Sequence, residues 1–555
     1  MKRISFYIIL ALSLVYGTSC SKDYLSVDRY DIVEPKVMFS SEEYIIQGLN
    51  GVYDMLYPDK NGNDIQQNWN FKPQMAFSNY PALDCQANGW DNEFTRHAWK
   101  ADKDMFEIGW LNCYKGVDRA NRFLKNLADT DPTVFANGQA TKDIIMAEAR
   151  AIRGFFYFYL AQNFGRVPML MEGETYSTSP NKARAETVEE TWNFVIADFE
   201  YAASILQWTP WKGEYGRITK GMAKAYMAQA YLYLKDFASA KTQLNEIIAS
   251  GSYELEKCYG TIHTENHWWS KESVWEVSFP DFEDMSWGAT GKTDAVWFVS
   301  YLTANPQVGG GWGALFISDE YVESFESGDK RKAYSVVARG ETNPYTGETL
   351  TNDLTITSEA MPNNTCLKQW KRKTGSNNKV YYSQSAVWMR YAAVLLNYAE
   401  CMFETVGESA TDERGKTGWD YINEIRDRAW GNQEVSLQPA HPNEPIPLNA
   451  APVVVPDAKT FYGNDAHYAS YTAEPWKVAL AMERRHEFLA EYSFWYDLVR
   501  TGMAEEYLNK EYPQNSGSTT NRQFDFQEYR TIYPIPYLEI IRNAAIGPEN
   551  QNPGY

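Results

Sequence analysis

Cysteine is scarce in this chain of 555 residues: there are six, and no two form a C-x-x-C pair. Beyond Cys20 they are Cys85, Cys113, Cys258, Cys366 and Cys401, odd in number and widely scattered, a pattern that fits neither a disulfide framework nor a zinc ribbon. Most are expected to act as small buried apolar residues. Long apolar runs are also missing: after residue 16 none approaches the roughly 20 residues that a membrane-spanning helix needs. Basic charge is short as well. Lys and Arg number 52 against 72 Asp and Glu, a formal charge of −20, and a field of that sign repels phosphate backbones and anionic head groups, which argues against nucleic-acid binding.

The signatures of common catalysts are equally thin. There is no G-x-S-x-G elbow. "GGGWG" (Gly309 to Gly313) lacks the spacing of a dinucleotide loop and brings no phosphate-loop lysine. "HEFLA" (His486 to Ala490) begins like a zinc-protease helix, but Ala490 stands where the second histidine belongs. "HTENH" (His263 to His267) supplies only two local ligands. With 72 acids a glycosidase-type carboxylate pair stays open as the rival class, because one sequence does not show which acids meet in space.

What is present begins at the N-terminus. Met1, Lys2 and Arg3 give a positive start, Ile4 to Tyr16 is an apolar run too short to span a bilayer, and Gly17, Thr18 and Ser19 are small residues directly before Cys20. This is the layout of a secretory signal, and with cysteine at the cleavage point it resembles a bacterial lipoprotein signal. Residues 1–19 are then removed and Cys20 becomes the acylated first mature residue. Losing Lys2 and Arg3 leaves 50 basic residues against 72 acidic ones, a charge of −22. Aromatic residues are abundant, with 19 Trp, 39 Tyr and 26 Phe. Much of that must be core, yet so many indoles in a secreted protein also suit carbohydrate binding, because flat rings stack on the apolar faces of sugars.

Helical periodicity dominates the chain. It predicts helices in Ser41 to Tyr57 (with Tyr44, Ile45, Leu49, Val52 and Leu56 on one face), Met105 to Leu127 (Trp110, Tyr114, Val117, Asn121, Leu124), Ile144 to Gly165 and Val188 to Leu206. Lys220 to Tyr253 matches a tetratricopeptide pair: Ala228 and Ala240 permit close approach, Tyr231 and Leu244 fill between, and "LKDF" (Leu234 to Phe237) turns the chain. A second pair is expected in Val387 to Gly407 and Gly418 to Trp430. Helix pairs are thus placed within about 41–253 and 387–502. Two loop-rich insertions lie between and after them, about 254–384, with short β-like runs such as "SVWEVSF" (Ser273 to Phe279), and about 431–475. "ERRHEFLAEYSFWYDLVRTG" (Glu483 to Gly502) reads as one buried late helix with Phe488, Tyr492, Trp495 and Val499 on a face and Glu483, Arg484 and Arg485 poised for ion pairs.

That late segment resembles the C-terminal signature helix of the SusD/RagB family of outer-membrane nutrient-binding lipoproteins. "YPIPYLEIIRNAAIGPENQNPGY" (Tyr533 to Tyr555) resembles the same family's closing segment, and Glu148 to Leu170, Arg217 to Phe237 and Leu395 to Glu404 match in the same order. The resemblance covers Cys20 to Tyr555, its C-terminal family segment running over 483–555. It implies a mainly α fold: four tetratricopeptide-like helix pairs in a right-handed superhelical scaffold that supports a loop-rich, variable face with small β elements. It also implies the outer face of the outer membrane, a SusC-like TonB-dependent transporter as partner, glycan as ligand, no cofactor and no catalysis. A peptide in place of the glycan, or a surface glycoside hydrolase, are the alternatives.

The family's substrate residues follow no fixed motif, so candidates come from texture. "LDCQANGWDNEF" (Leu83 to Phe94) reads as a polar loop that holds Trp90 among Asp84, Asn88, Asp91 and Asn92, and Trp99 follows. Trp287, Trp297, Tyr301 and Trp312 sit in glycine-rich surroundings where a ring tends to be exposed.

Overall fold

The computed structural model describes residues 35–56, 71–87, 91–264, 267–278, 315–345, 347, 349, 364–368, 385–431, 453–513 and 524–555. Cys20 and the signal lie outside them, as do Asn88, Trp90, Trp287, Trp297, Tyr301 and Trp312.

The helical scaffold is built from α1 (Glu42–Tyr53), α2 (Phe71–Asn79), α3 (Asp104–Ala128), α4 (Gln139–Phe164), α5 (Val188–Ile205), α6 (Lys220–Tyr233), α7 (Phe237–Ala249), α8 (Tyr391–Val406), α9 (Gly418–Ala429), α10 (Ala458–Asn464), α11 (Pro475–Glu487), α12 (Phe494–Thr501), α13 (Ala504–Glu511) and α14 (Tyr537–Arg542). Its starts are written in the sequence. Ser41, Thr187, Thr219 and Asp236 each accept a backbone N–H of the first turn of α1, α5, α6 and α7, and Thr417 forms a full capping box with Asp420 at α9. From α3 to α9 each helix packs on the next, so the array stacks as paired helices do when neither can bury its face alone. The α7–α8 contact bridges residues 250–390: the scaffold closes across the insertion as though it were absent.

The central member is α4. Its "AIRGFFYFYL" stretch (Ala151 to Leu160) is buried at every position, as a helix apolar all round must be. Close approach to α3 depends on Gly116, where a Cβ would lie 2.2 Å from the Phe156 ring. The α6–α7 turn falls at Leu234 to Asp236, with Ala228, Ala240 and Leu244 buried as expected. Tyr231 is only half-buried and packs at the edge of the core, while Leu232 beside it is fully buried. Tyr44 likewise faces solvent, 45% exposed, while Ile45, Leu49 and Val52 are buried.

The strands are short. β1 (Cys85–Ala87), β3 (Leu315–Ile317), β4 (Val336–Ala338) and β5 (Asn364–Cys366) form an antiparallel sheet in the order β1-β3-β5-β4, and β2 (Ser273–Val277) pairs with β6 (Ala386–Arg390) through an irregular register. Three expectations are corrected here. Cys85 to Ala87 is a buried strand and not loop, Val387 to Arg390 belongs to β6 and not to the following helix, and Ala458 to Asn464 is helical within the second insertion. Alternation too short to score over three to five residues leaves no periodic trace. The β2/β6 pair docks on α4 through rings: Phe155 meets Trp275 edge-on at 4.6 Å and Trp388 edge-on at 5.4 Å, while the other side of Trp388 stacks on Tyr492, in the break after α11, at 4.0 Å. The five cysteines from Cys85 to Cys401 are buried and form no disulfide.

Candidate functional site

The late segment is two helices and not one. α11 ends at Glu487, Ala490 takes a left-handed backbone (φ 54°), and the chain restarts in α12 at Phe494. Periodicity does not register a single residue of that kind. All five residues of "ERRHE" (Glu483 to Glu487) are buried, and they point in different directions around the helix. Glu483 pairs with Arg331 at 2.8 Å and with Arg426 of α9 at 2.6 Å. Arg484 reaches Glu400 of α8 at 2.7 Å. Arg485 binds Asp84 at 2.9 Å and Glu511 of α13 at 2.5 Å. His486 meets the Ser324 hydroxyl at 2.8 Å. Glu487 accepts from Arg390 of β6 at 2.9 Å and from Arg428 of α9. Past the break, Glu491 takes Arg390 at 2.8 Å and Lys368, just after β5, at 2.7 Å.

Burial by itself pushes these carboxyls up, and at Asp84 it prevails, whereas at Glu483, Glu487, Glu491, Glu400 and Glu511 the cations around them win. Arg428, Arg390 and Arg331 hold Glu487 at about 2, and Arg500 with Arg484 does the same for Glu400. Arg485, with His467 and Tyr471, keeps Glu511 at about 2. Charges that are buried and fully paired in this way cost desolvation and return geometry: removing any one partner strands another. The expectation that Glu483, Arg484 and Arg485 enter ion pairs is met, and the partners just named lie 26 to 401 residues away in the chain. No local pattern pointed to Arg331, Lys368 or Arg390.

This network seats the sheet. Asp84, directly before β1, accepts from Arg485 Nε at 2.9 Å and from the hydroxyls of Tyr512 at 2.6 Å and Tyr507 at 2.8 Å. β1 then pairs with β3 as Cys85 with Ile317, Gln86 with Phe316 and Ala87 with Leu315. Ala87 and Leu315 therefore lie at the same end of the sheet.

The described candidates do not lie on a surface. Trp99 is buried, 5.3 Å from the Tyr533 ring, and its indole N–H donates to the Tyr555 hydroxyl at 2.7 Å. Asp84 is the strut just described. Asp91 is buried 3.5 Å from Lys103 Nζ, and Asn92 is buried at the start of the helical turn Asn92–Thr95. These four hold the base from which the loop departs. Of the histidines in "HTENH", His263 is buried 3.5 Å from Glu491 and His267 Nδ1 lies 3.2 Å from Glu256. Among the described residues no group of His, Cys, Asp or Glu is arranged to hold a metal, and no helix is long and apolar enough to cross a membrane. Sequence reading passed over a further set of rings in "QWTPWKGEYG" (Gln207 to Gly216), although aromatic residues in a Pro- and Gly-punctuated turn are the texture that singled out Trp287 and Trp312.

Comparison with known proteins brings these features together. Residues 271–555 match the model of the SusD family, and residues 23–232 match a related model described as starch-binding and associating with the outer membrane. A SusD-like protein of Formosa agariphila is 24% identical over 570 aligned residues, covering 99% of each chain. The crystal structure of a SusD homolog from Bacteroides thetaiotaomicron superposes with a TM-score of 0.70 at 20% identity, covering 95% of this chain and 99% of that one. Surface glycan-binding protein A of the same organism, solved with laminarihexaose, gives 0.64 at 20% identity over 92% of this chain and 99% of the other. The shared architecture is the mainly helical, tetratricopeptide-like one.

Proposed function

The chain belongs to the SusD family, and from that premise we propose that it is a surface lipoprotein that captures a glycan and passes it, chemically unchanged, to a SusC-like TonB-dependent transporter. Cys20 carries the lipid that holds it at the outer face of the outer membrane. The glycan reading draws support from the starch-binding description of the family model matched by the N-terminal part and from the laminarihexaose complex of a structural neighbour.

The observation that carries the site is the pairing of Ala87 with Leu315. Trp90 stands three residues beyond Ala87 and Trp312 three before Leu315. An extended chain advances about 3.3 Å per residue, so the chain tethers the Cα atoms of both residues to no more than about 10 Å from that sheet end. Asn88 adjoins that end, and Trp287, Trp297 and Tyr301 belong to the segment that returns to it. Each stacked ring contributes about 1 kcal/mol, so two or three together, with amides on the hydroxyls, yield useful affinity. The base beneath is rigid because Asp84 is held by three donors.

Native gels cast with single polysaccharides test this reading. Retardation of the wild type, lost on Trp90→Ala with Trp312→Ala, is the expected result. Release of reducing sugar by the purified protein would overturn the binding-only function.

A further inference from the structure

We propose that the α5–α6 turn, together with residues 267–270, forms a second glycan-contact platform, separate from the β1/β3 sheet end and suited to the flat C–H faces of pyranose units. It rests on the glycan reading above. Tyr215, at the tip, is 72% exposed, the most exposed aromatic side chain among the described residues. Its ring lies 6.2 Å from that of Trp269 at an interplanar angle of 35°, and Trp211 and Trp208 flank it, both half-buried. Two inclined rings, one at the tip and one at the floor, suit consecutive sugars of a twisted chain better than a flat surface.

The rings are held in advance of any ligand. Trp269 has a left-handed backbone (φ 56°), costly for a bulky residue, and is kept there by two bonds: its backbone N–H donates to Glu276 and its indole N–H to Ser278 Oγ at 2.7 Å. Gly216 takes a backbone φ of 101° that side-chain-bearing residues rarely adopt, and it lies beside that indole, 3.8 Å from where its Cβ would be. The turn closes through Gly213 N–H to the Pro210 carbonyl at 3.0 Å and Lys220 N–H to the Gln207 carbonyl at 2.8 Å. Beneath it the buried Arg217 is fixed between Glu148 at 2.9 Å and Glu214 at 2.6 Å. Trp269, Trp211 and Trp208 rest on the edge of the core, each with part of its surface open to solvent, and rings held in place ahead of a ligand lower the entropy cost of binding.

The chemistry of the surroundings selects sugar over a greasy partner. Tyr215 is the sole strongly exposed large hydrophobic within the turn and residues 267–270. Between the rings stand exposed charges of both signs: Lys212, whose ammonium lies 4.4 Å over Trp211, and Glu214. Rings alternating with donors and acceptors match an oligosaccharide, which presents a C–H face and a hydroxyl edge at each unit.

The test uses the full chain in native gels cast with laminarin, starch, xylan, galactan or mannan. On the polysaccharide that retards the wild type, Tyr215→Ala with Trp211→Ala should weaken retention about 5- to 30-fold, because two rings of roughly 1 kcal/mol act by avidity with the sheet-end site. Tyr215→Phe, which keeps the ring, should restore it in the single-site series, and Tyr537→Ala, another exposed ring at 53%, should change nothing. Full retention by the Tyr215→Ala, Trp211→Ala protein, while Trp90→Ala with Trp312→Ala loses binding, overturns the second platform and leaves the function standing. Retardation of the wild type by none of the five overturns the glycan reading and the platform with it.

Discussion

Arg485→Met should be the most damaging conservative change in the ion network. Methionine keeps most of the apolar stem and its flexible chain fills the space, so the loss reports charge and not a cavity. Arg485 is fully buried and is the cation that serves both Asp84 and Glu511. Without it Asp84 keeps the hydroxyls of Tyr507 and Tyr512, and Glu511 keeps His467 at 2.6 Å and Tyr471 at 2.7 Å, but both carboxylates stay in a low-dielectric interior. Breaking a buried pair from one side costs about 3–5 kcal/mol. Adding Asp84→Asn removes one of the two stranded charges and retains its shape, and should return about 1–3 kcal/mol, the range of coupling between residues in contact. Urea unfolding followed by tryptophan fluorescence, with the four proteins of the cycle compared at constant slope, measures both numbers. If Arg485→Met lies within 1 kcal/mol of wild type, or if Asp84→Asn has the same effect in either background, the pair is not what seats β1. A positive cycle carries a functional corollary: the same variant should lose polysaccharide retention, since Asp84 holds the base of the proposed site.

Other consequences follow from single groups. Burial pushes Glu276 up to about 8, against 4.5 when unfolded, so the folded state binds the extra proton between those values and stability falls as pH rises through that window. Glu276→Gln should remove this slope, about 1.4 kcal/mol per pH unit within the window, and parallel melting curves for the two proteins from pH 5 to 8 would refute it. On the acid side the sign reverses: Glu400, Glu487 and Glu511, each held at about 2, give stability that is present above about 4.5 and lost as pH falls toward 2, detectable as acid unfolding that 1 M salt barely moves. Gly116→Ala places a methyl 2.2 Å from the Phe156 ring and should cost about 1–3 kcal/mol, with Phe156→Leu in the same chain recovering part of it in thermal melts. Cys20→Ala should leave folding and glycan retention intact and release the protein into the soluble fraction; a variant that stays membrane-bound in cells lacking the partner barrel would refute the anchor.

The sequence by itself determined the elements whose signal is local and repeated. Helical period, Ser, Thr and Asp caps and the small residues at Ala228 and Ala240 specify α1 and α3 to α9 within a few positions, because each depends on neighbours three or four residues away, while α2 went unread. It also marked "ERRHE" as charged and buried and, by resemblance, the family to which it belongs. What it left undecided is whatever depends on partners far along the chain. Nothing near Asp84 signals that Arg485, Tyr507 and Tyr512 will close on it, so a structural strut reads as a ligand-binding acid, and Trp99 as a platform rather than a core ring bonded to Tyr555. The three-residue strands are too short to show alternation, yet it is their register that sets Ala87 on Leu315, from distant parts of the chain. A single left-handed residue, Ala490 or Trp269, leaves composition and period unchanged while it breaks a helix or tilts a ring. Local free energies are additive along the chain and can be read from it; a buried charge finds its partner only when the chain closes, and that choice belongs to the tertiary structure.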